Sequence, residues 1–125
     1  MAARRITLQC DVPVRDILCI AIRGYAHAAY PEGGSDCAQV ARYTLLELAG
    51  QVEAAIGDDC HSVEISKRPR AMLKAAIEYH FDRRDAEQGT TSVYQRELFR
   101  GLLQEQPVTG PDLETAVAAD QAGPA

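Results

Sequence analysis

Apolar and polar residues alternate strictly from Ile6 to Val12, with Ile6, Leu8, Cys10 and Val12 on one side and Thr7, Gln9 and Asp11 on the other. A period of two is that of a half-buried strand. The period changes at Pro13. Val14, Ile17, Leu18, Ala21, Ile22 and Tyr25 then recur three or four residues apart, which predicts a helix with a broad apolar face, opened by a proline in the tolerated first turn. "YPEGGSD" ends it, because Pro31 and two glycines cannot continue a helix, and Ser35 or Asp36 is placed to cap the next. That second helix is predicted from about Cys37 to Ile56, with Val40, Ala41, Thr44, Leu48, Val52 and Ile56 along one face and Gly57 as its stop. The pattern then starts over. Val63 and Ile65 alternate with Ser62, Glu64 and Ser66, and a helix from about Pro69 buries Met72, Leu73, Ala76, Ile77 and His80 or Phe81. After the break "EQGTTS", a fourth helix runs through Tyr94, Leu98 and Leu102.

The expected fold is α+β and mostly helical, in the order β-α-α-β-α-α, with a two-stranded antiparallel sheet packed on four helices. A lone strand leaves its backbone hydrogen bonds unmade, whereas two strands in one chain pair and close a core with the helices. Residues 1–104 are expected to form a single compact domain. A shift of 55 residues carries Leu8 onto Val63, Cys10 onto Ile65, Ile17 onto Met72 and Leu18 onto Leu73, and a shift of 53 carries Leu45 and Leu46 onto Leu98 and Phe99. That correspondence suggests an internal repeat. Residues 105–125 are punctuated by proline and glycine and poor in large apolar groups, so they are expected to be a flexible acidic tail with at most one short helix near Asp112 to Ala119.

Charge changes this picture in one respect. The net charge of the 125 residues is −5, but Glu105, Asp112, Glu114 and Asp120 fall in the expected tail with no base beside them. Residues 1–104 hold all 13 bases against 14 of the 18 acids. The near-neutral folded part is therefore compatible with an anionic partner. No apolar stretch reaches the roughly 18 residues of a spanning helix, and the N-terminus lacks the apolar region of a secretory signal, so a cytoplasmic protein with no membrane partner is expected.

Few residues offer chemistry. The four cysteines contain no C-x-x-C pair and fall on or beside predicted apolar faces, which reads as core thiols in a reducing compartment rather than metal ligands or disulfides. Cys60 and His61 are adjacent in an extended segment, point to opposite faces and cannot pair as nucleophile and base. His27 and His80 lack helical ligand partners. Glu78 and Asp82, with Lys74 one turn earlier, read as surface pairing. Arg83 and Arg84 between Asp82 and Asp85 read as a solvated face. No cofactor site, metal site or catalytic constellation is expected.

The conspicuous feature is basic. Lys67, Arg68 and Arg70 surround Pro69 at the start of the third helix, where positive charge opposes the helix dipole by roughly 0.3–1 kcal/mol per exposed base. Either an anion compensates, held by free N–H groups and guanidinium forks, or an acid such as Glu64 or Asp59 pairs with the cluster, or the side chains are simply solvated. Arg4 and Arg5 ahead of the first strand form a second, smaller basic arm.

Strand, helix, break and helix, twice over across residues 6–104, resembles the ribbon-helix-helix fold written as a tandem, single-chain pseudo-dimer. The resemblance implies antiparallel strands whose outward side chains enter the DNA major groove, with the N-terminus of each second helix meeting phosphate. Its outward positions here are Thr7, Gln9 and Asp11 on one strand and Ser62, Glu64 and Ser66 on the other. Gln9 suits adenine, and the hydroxyls of Thr7, Ser62 and Ser66 suit several bases. Asp11 and Glu64 stand where the family places basic or amide groups, and two carboxylates facing a polyanion oppose the electrostatic attraction that dominates affinity for DNA. The sequence thus points to a small non-catalytic binding module, monomeric or homodimeric. It is expected to be a DNA-binding regulator, alternatively a protein-interaction module that kept the fold, or thirdly a sensor of small anions or phosphorylated metabolites. The surroundings of Asp11 and Glu64 discriminate: flanking arginines favour DNA, and dominant acids favour the interaction module.

Overall fold

The computed structural model describes residues 4–123. Ile6 and Leu8 alternate with polar neighbours in strand β1 (Arg5–Gln9), and Val63 and Ile65 do so in β2 (Ser62–Ser66). The strands pair antiparallel as expected, with Ile6 opposite Ile65, Thr7 opposite Glu64 and Leu8 opposite Val63. Strand β1 ends three residues before the alternation does. Asp11 leaves the ribbon and becomes the N-cap residue of α1 (Val12–Ala29), while Arg5 joins the outward face.

The remaining elements are α2 (Asp36–Ala55), α3 (Arg70–Gln88), α4 (Val93–Leu103) and α5 (Gly110–Ala122). The fold is thus α+β and mostly helical, with a two-stranded antiparallel sheet. Helix α1 packs on α2 and α3, β2 lies against α2, and β1 lies against α4. Each strand therefore rests on the second helix of the other β-α-α unit. The ribbon's inner side chains Leu8 and Ile65 are fully buried with Leu18, Ile22, Leu45, Leu73, Ile77, Phe81, Phe99 and Leu102. The Phe81 and Phe99 rings stand 5.6 Å apart and join α3 to α4. Burying each such leucine or phenylalanine contributes about 1.5–3 kcal/mol.

Two helical faces depart in part from the expected ones: Leu48, Val52, Ile56 and Leu102 are buried as expected, but the rest of each face is turned. In α2 the buried residues are Leu45, Leu48, Ala49 and Val52, and Val40 is 65% exposed. In α4 they are Gln95, Phe99, Leu102 and Leu103, and Tyr94 is 56% exposed. Both helices carry apolar residues on two adjacent stripes, and packing against the helix before them selects one. The matching of the units shifts accordingly. Buried Ile6 and Leu8 answer to Val63 and Ile65 at 57 residues, Val14, Leu18 and Ile22 to Leu73, Ile77 and Phe81 at 59, and Leu45, Leu48 and Ala49 to Phe99, Leu102 and Leu103 at 54. No uniform shift holds: the strand-to-helix joints are two and three residues long, the helix-to-helix joints six and four.

The expected flexible tail is the largest correction. The chain turns at Glu105, which has φ +66°, and runs alongside β1, where the Val108 N–H donates to the Gln9 carbonyl at 2.9 Å and Val108 bridges Cys10 in parallel. Thr109 and Asp112 then form a reciprocal capping box, and α5 packs on α4 and α1 with Leu113 and Ala116 buried. Small residues let a helix with little large apolar surface lie close to its neighbours. Residues 1–3 and 124–125 of the two expected segments lie outside the described residues. Among the described residues, no helix is long and apolar enough to cross a membrane.

Candidate functional site

The outward ribbon face carries Arg5, Thr7 and Gln9 beside Ser62, Glu64 and Ser66; all are exposed except Thr7, which is half-buried. The antiparallel register gives this face two unlike ends. Arg5 stands opposite Ser66, and the Lys67 N–H donates to the Arg4 carbonyl at 3.0 Å. Arg4, Arg5, Lys67 and Arg68 thus converge at one end, where Arg70 opens α3. The other end holds Gln9, Ser62 and the neighbouring Asp11. Its carboxylate accepts the Gly110 N–H at 2.6 Å, so Asp11 anchors α5 instead of facing outward with the ribbon.

None of Arg4, Arg5, Lys67, Arg68, Arg70 and Lys74 takes part in an ion pair among the described residues, and neither do Glu64 and Asp59. The intramolecular compensation that Glu64 or Asp59 was expected to supply is not made. Helix α3 begins without a side-chain cap and without an acid in its first turn. Beside that start, Lys67, Arg68, Arg70 and Lys74 line a concavity of about 470 Å³ together with Arg100 of α4. Lys74 and Arg100 belong to this basic surface and were missed. Lys74 stands one turn after Arg70, a spacing visible in the sequence, whereas Arg100 arrives only through packing.

The acids are engaged elsewhere. Glu78 pairs with Arg96 at 2.8 Å and Arg100 at 2.7 Å across α3 and α4, in place of the expected Lys74. Arg96 also reaches Asp82 and Asp85, so Asp82 and Asp85 serve an inter-helix network and Arg83 pairs with Glu87. Asp120 of α5 accepts the backbone N–H groups of Tyr94 at 2.8 Å and Gln95 at 3.1 Å, and the Gln95 side-chain amide at 3.0 Å. The N-terminus of α4, one of the two helix starts that the ribbon-helix-helix resemblance assigns to phosphate, is therefore closed by a carboxylate of the same chain. The other, at α2, is capped by Ser35 and has Asp36 in its first turn. Glu105 accepts the Thr7 N–H at 2.8 Å, which places a carboxylate on the edge of the ribbon.

The cysteines divide. Cys10 and Cys19 are buried, but Cys37 and Cys60 are exposed, which corrects their expected core placement; all four are free thiols. Burial first, and the Asp11 carboxylate second, push the Cys10 thiol up to about 12, so it is inert at neutral pH. The Cys60 thiol donates to the Ser62 carbonyl. Among the described residues, no three His, Cys, Asp or Glu side chains cluster as a metal site. A second concavity, of about 610 Å³, lies between α2, the outer edge of β2 and the start of α3.

No protein family, characterised protein or solved structure was found to match the chain.

Proposed function

We propose that the chain is a non-catalytic protein-interaction module, built on paired strands in the manner of ribbon-helix-helix proteins but binding a protein partner instead of duplex DNA. The observation that carries this reading is Asp120 on the N-terminal amides of α4. A helix start occupied by a carboxylate repels phosphate where the ribbon-helix-helix mode needs it. Asp36 at the other second helix, Glu64 at the ribbon midpoint and Glu105 on its edge act in the same direction. Free thiols suit the cytoplasmic setting that belongs to this reading.

The test is a fluorescence anisotropy titration of labelled duplex DNA at about 50 mM salt, where nonspecific binding is strongest. No saturable binding is expected. Saturable binding that weakens steeply with salt would reverse the assignment in favour of the second reading, a DNA-binding regulator, which Arg4, Arg5, Lys67 and Arg68 at one ribbon end and Arg70 and Lys74 on the adjoining helix support, none of them ion-paired among the described residues. In that event Arg68→Ala with Arg70→Ala flattens the salt dependence by about two counterions.

A further inference from the structure

The 610 Å³ groove has a counterpart against which the chain packs a segment of its own. In one half of the molecule, residues 105–122 run along the outer edge of β1 and then pack as α5 on α4. Carrying lining positions of the groove across by the shifts that match the buried residues takes Val40 and Thr44 to Tyr94 and Leu98, and takes Ser66, Arg68 and Met72 to Gln9, Asp11 and Pro13. These are positions of the α5 seat. Tyr94 and Leu98 face Val108, Asp112 and Ala116 across a shared cleft, the Gln9 carbonyl accepts the Val108 N–H, and Asp11 and Pro13 close around Gly110.

The backbone agrees with the side chains. Thr7 and Glu64 are 57 residues apart and opposite each other in the ribbon. The Thr7 N–H points away from β2, because it donates to Glu105; an antiparallel pair alternates its bonding direction, so the Glu64 and Ser66 amides and carbonyls also point outward, toward the groove. The Gln51 amide donates to the Glu64 carbonyl at 3.2 Å, and Gln51 is the residue that answers to Glu105. Among the described residues, the Glu64 N–H and the Ser66 carbonyl, counterparts of the two groups that hold 105–108, have no protein partner. One ribbon edge is met by the chain's own segment, and the equivalent edge is met only by the Gln51 side chain and borders the groove.

We infer that this groove receives a segment of a partner protein, a short extended stretch that adds to the β2 edge and continues into an acidic helix rich in small residues on α2. The inference rests on the interaction-module reading and names its partner surface. The chain's own occupant of the matching seat has that form, and it carries Glu105, Asp112, Glu114 and Asp120 with no base. The one inversion sets specificity. Where the filled seat presents Asp11 to an N–H, the open groove presents Arg68, with unpaired Lys67 and Arg70 beside it and Glu47 as the single acid in the lining. Edge-strand addition with side-chain pockets is an established mode of peptide recognition, and a guanidinium at the rim selects a carboxylate.

The probe is a synthetic peptide with the sequence of residues 105–122, added to the full chain. Heteronuclear NMR and alkylation of Cys37, which lines the groove, report its position. The expected result is peptide-dependent shifts at Val40, Thr44, Met72 and the Glu64 amide, with slower alkylation of Cys37 and unchanged alkylation of Cys60. Val40→Glu, at an exposed position that leaves the melting temperature unchanged, and separately Arg68→Glu, weaken binding by about tenfold or more. Shifts confined to Tyr94 and Leu98 would mean that the peptide only displaces α5, and would overturn the assignment, as would the absence of any shift at millimolar peptide. Concentration-dependent dimerisation of the chain alone, abolished by Val40→Glu in sedimentation velocity, would overturn the partner in favour of a second copy. The DNA titration reports on the interaction-module reading independently, so the two fail separately.

Discussion

Asp85 ties the turn between α3 and α4 with one carboxylate. It accepts bonds from the Thr90 hydroxyl, the Ser92 hydroxyl and N–H, and the Arg96 guanidinium. Burial pushes its carboxyl up, but these bonds outweigh burial and hold it at about 2. A carboxyl held low in the fold stabilises above its unfolded value near 4, and that stability drains away as pH falls from about 4 toward 2. Allowing for solvent screening, its share is of order 1 kcal/mol. Asp85→Asn is therefore expected to lower stability by about 1–2 kcal/mol at pH 7 and to flatten the acid limb between pH 4 and 2, read from thermal melts across that range. The sequence shows the acids and bases of this network but not their partners, because Glu78 meets Arg96 and Arg100 from 18 and 22 residues away. Lys67, Arg68 and Arg70 are legible as a cluster, but that neither Glu64 nor Asp59 pairs with them is visible only in the structure, because no sequence spacing decides whether side chains on a strand, a loop and a helix start meet.

Helix α5 marks the limit of what periodicity reveals. Leu113 is its single leucine, and its other buried contacts are Gly110 and Ala116, so a hydrophobic pattern barely exists although the helix is seated. Its start was legible in principle: Thr109 followed three residues later by Asp112 fits the capping-box spacing with Asp in place of the usual Glu or Gln. Leu113→Ala is expected to cost about 2–3 kcal/mol in urea unfolding, and Thr109→Ala about 1 kcal/mol; a solvated tail would yield no change for either. The faces of α2 and α4 were legible only in part, at Leu48, Val52, Ile56 and Leu102, for a different reason. Leu45 and Leu46, or Leu98 and Phe99, sit side by side on the helix, and only the partner helix decides which turns inward. Strands β1 and β2 raise no such choice, since a one-residue slip would expose Leu8 and Ile65 together.

The order of elements and the pairing of the strands follow from the alternation around Leu8 and Ile65 and the changes of period at Pro13 and Pro69. The inequality of the two halves does not. Both units present a strand edge beside a second helix, and residues 105–122 occupy one of these places and leave the other open, a consequence of where a weakly patterned segment packs. That inequality also underlies the functional reading: the same segment brings Asp120 onto the α4 amides and Glu105 onto the ribbon edge, opposing phosphate, while the basic end and the open groove are left on the other side. Amide hydrogen exchange at Thr7 and Glu64, the paired and corresponding residues of the two strands, tests this most directly. A slowly exchanging Thr7 amide, held by Glu105, and a fast Glu64 amide are expected, with Thr7 becoming as fast as Glu64 when residues 105–125 are deleted. Equal exchange at the two amides in the full chain would contradict the inequality of the two edges.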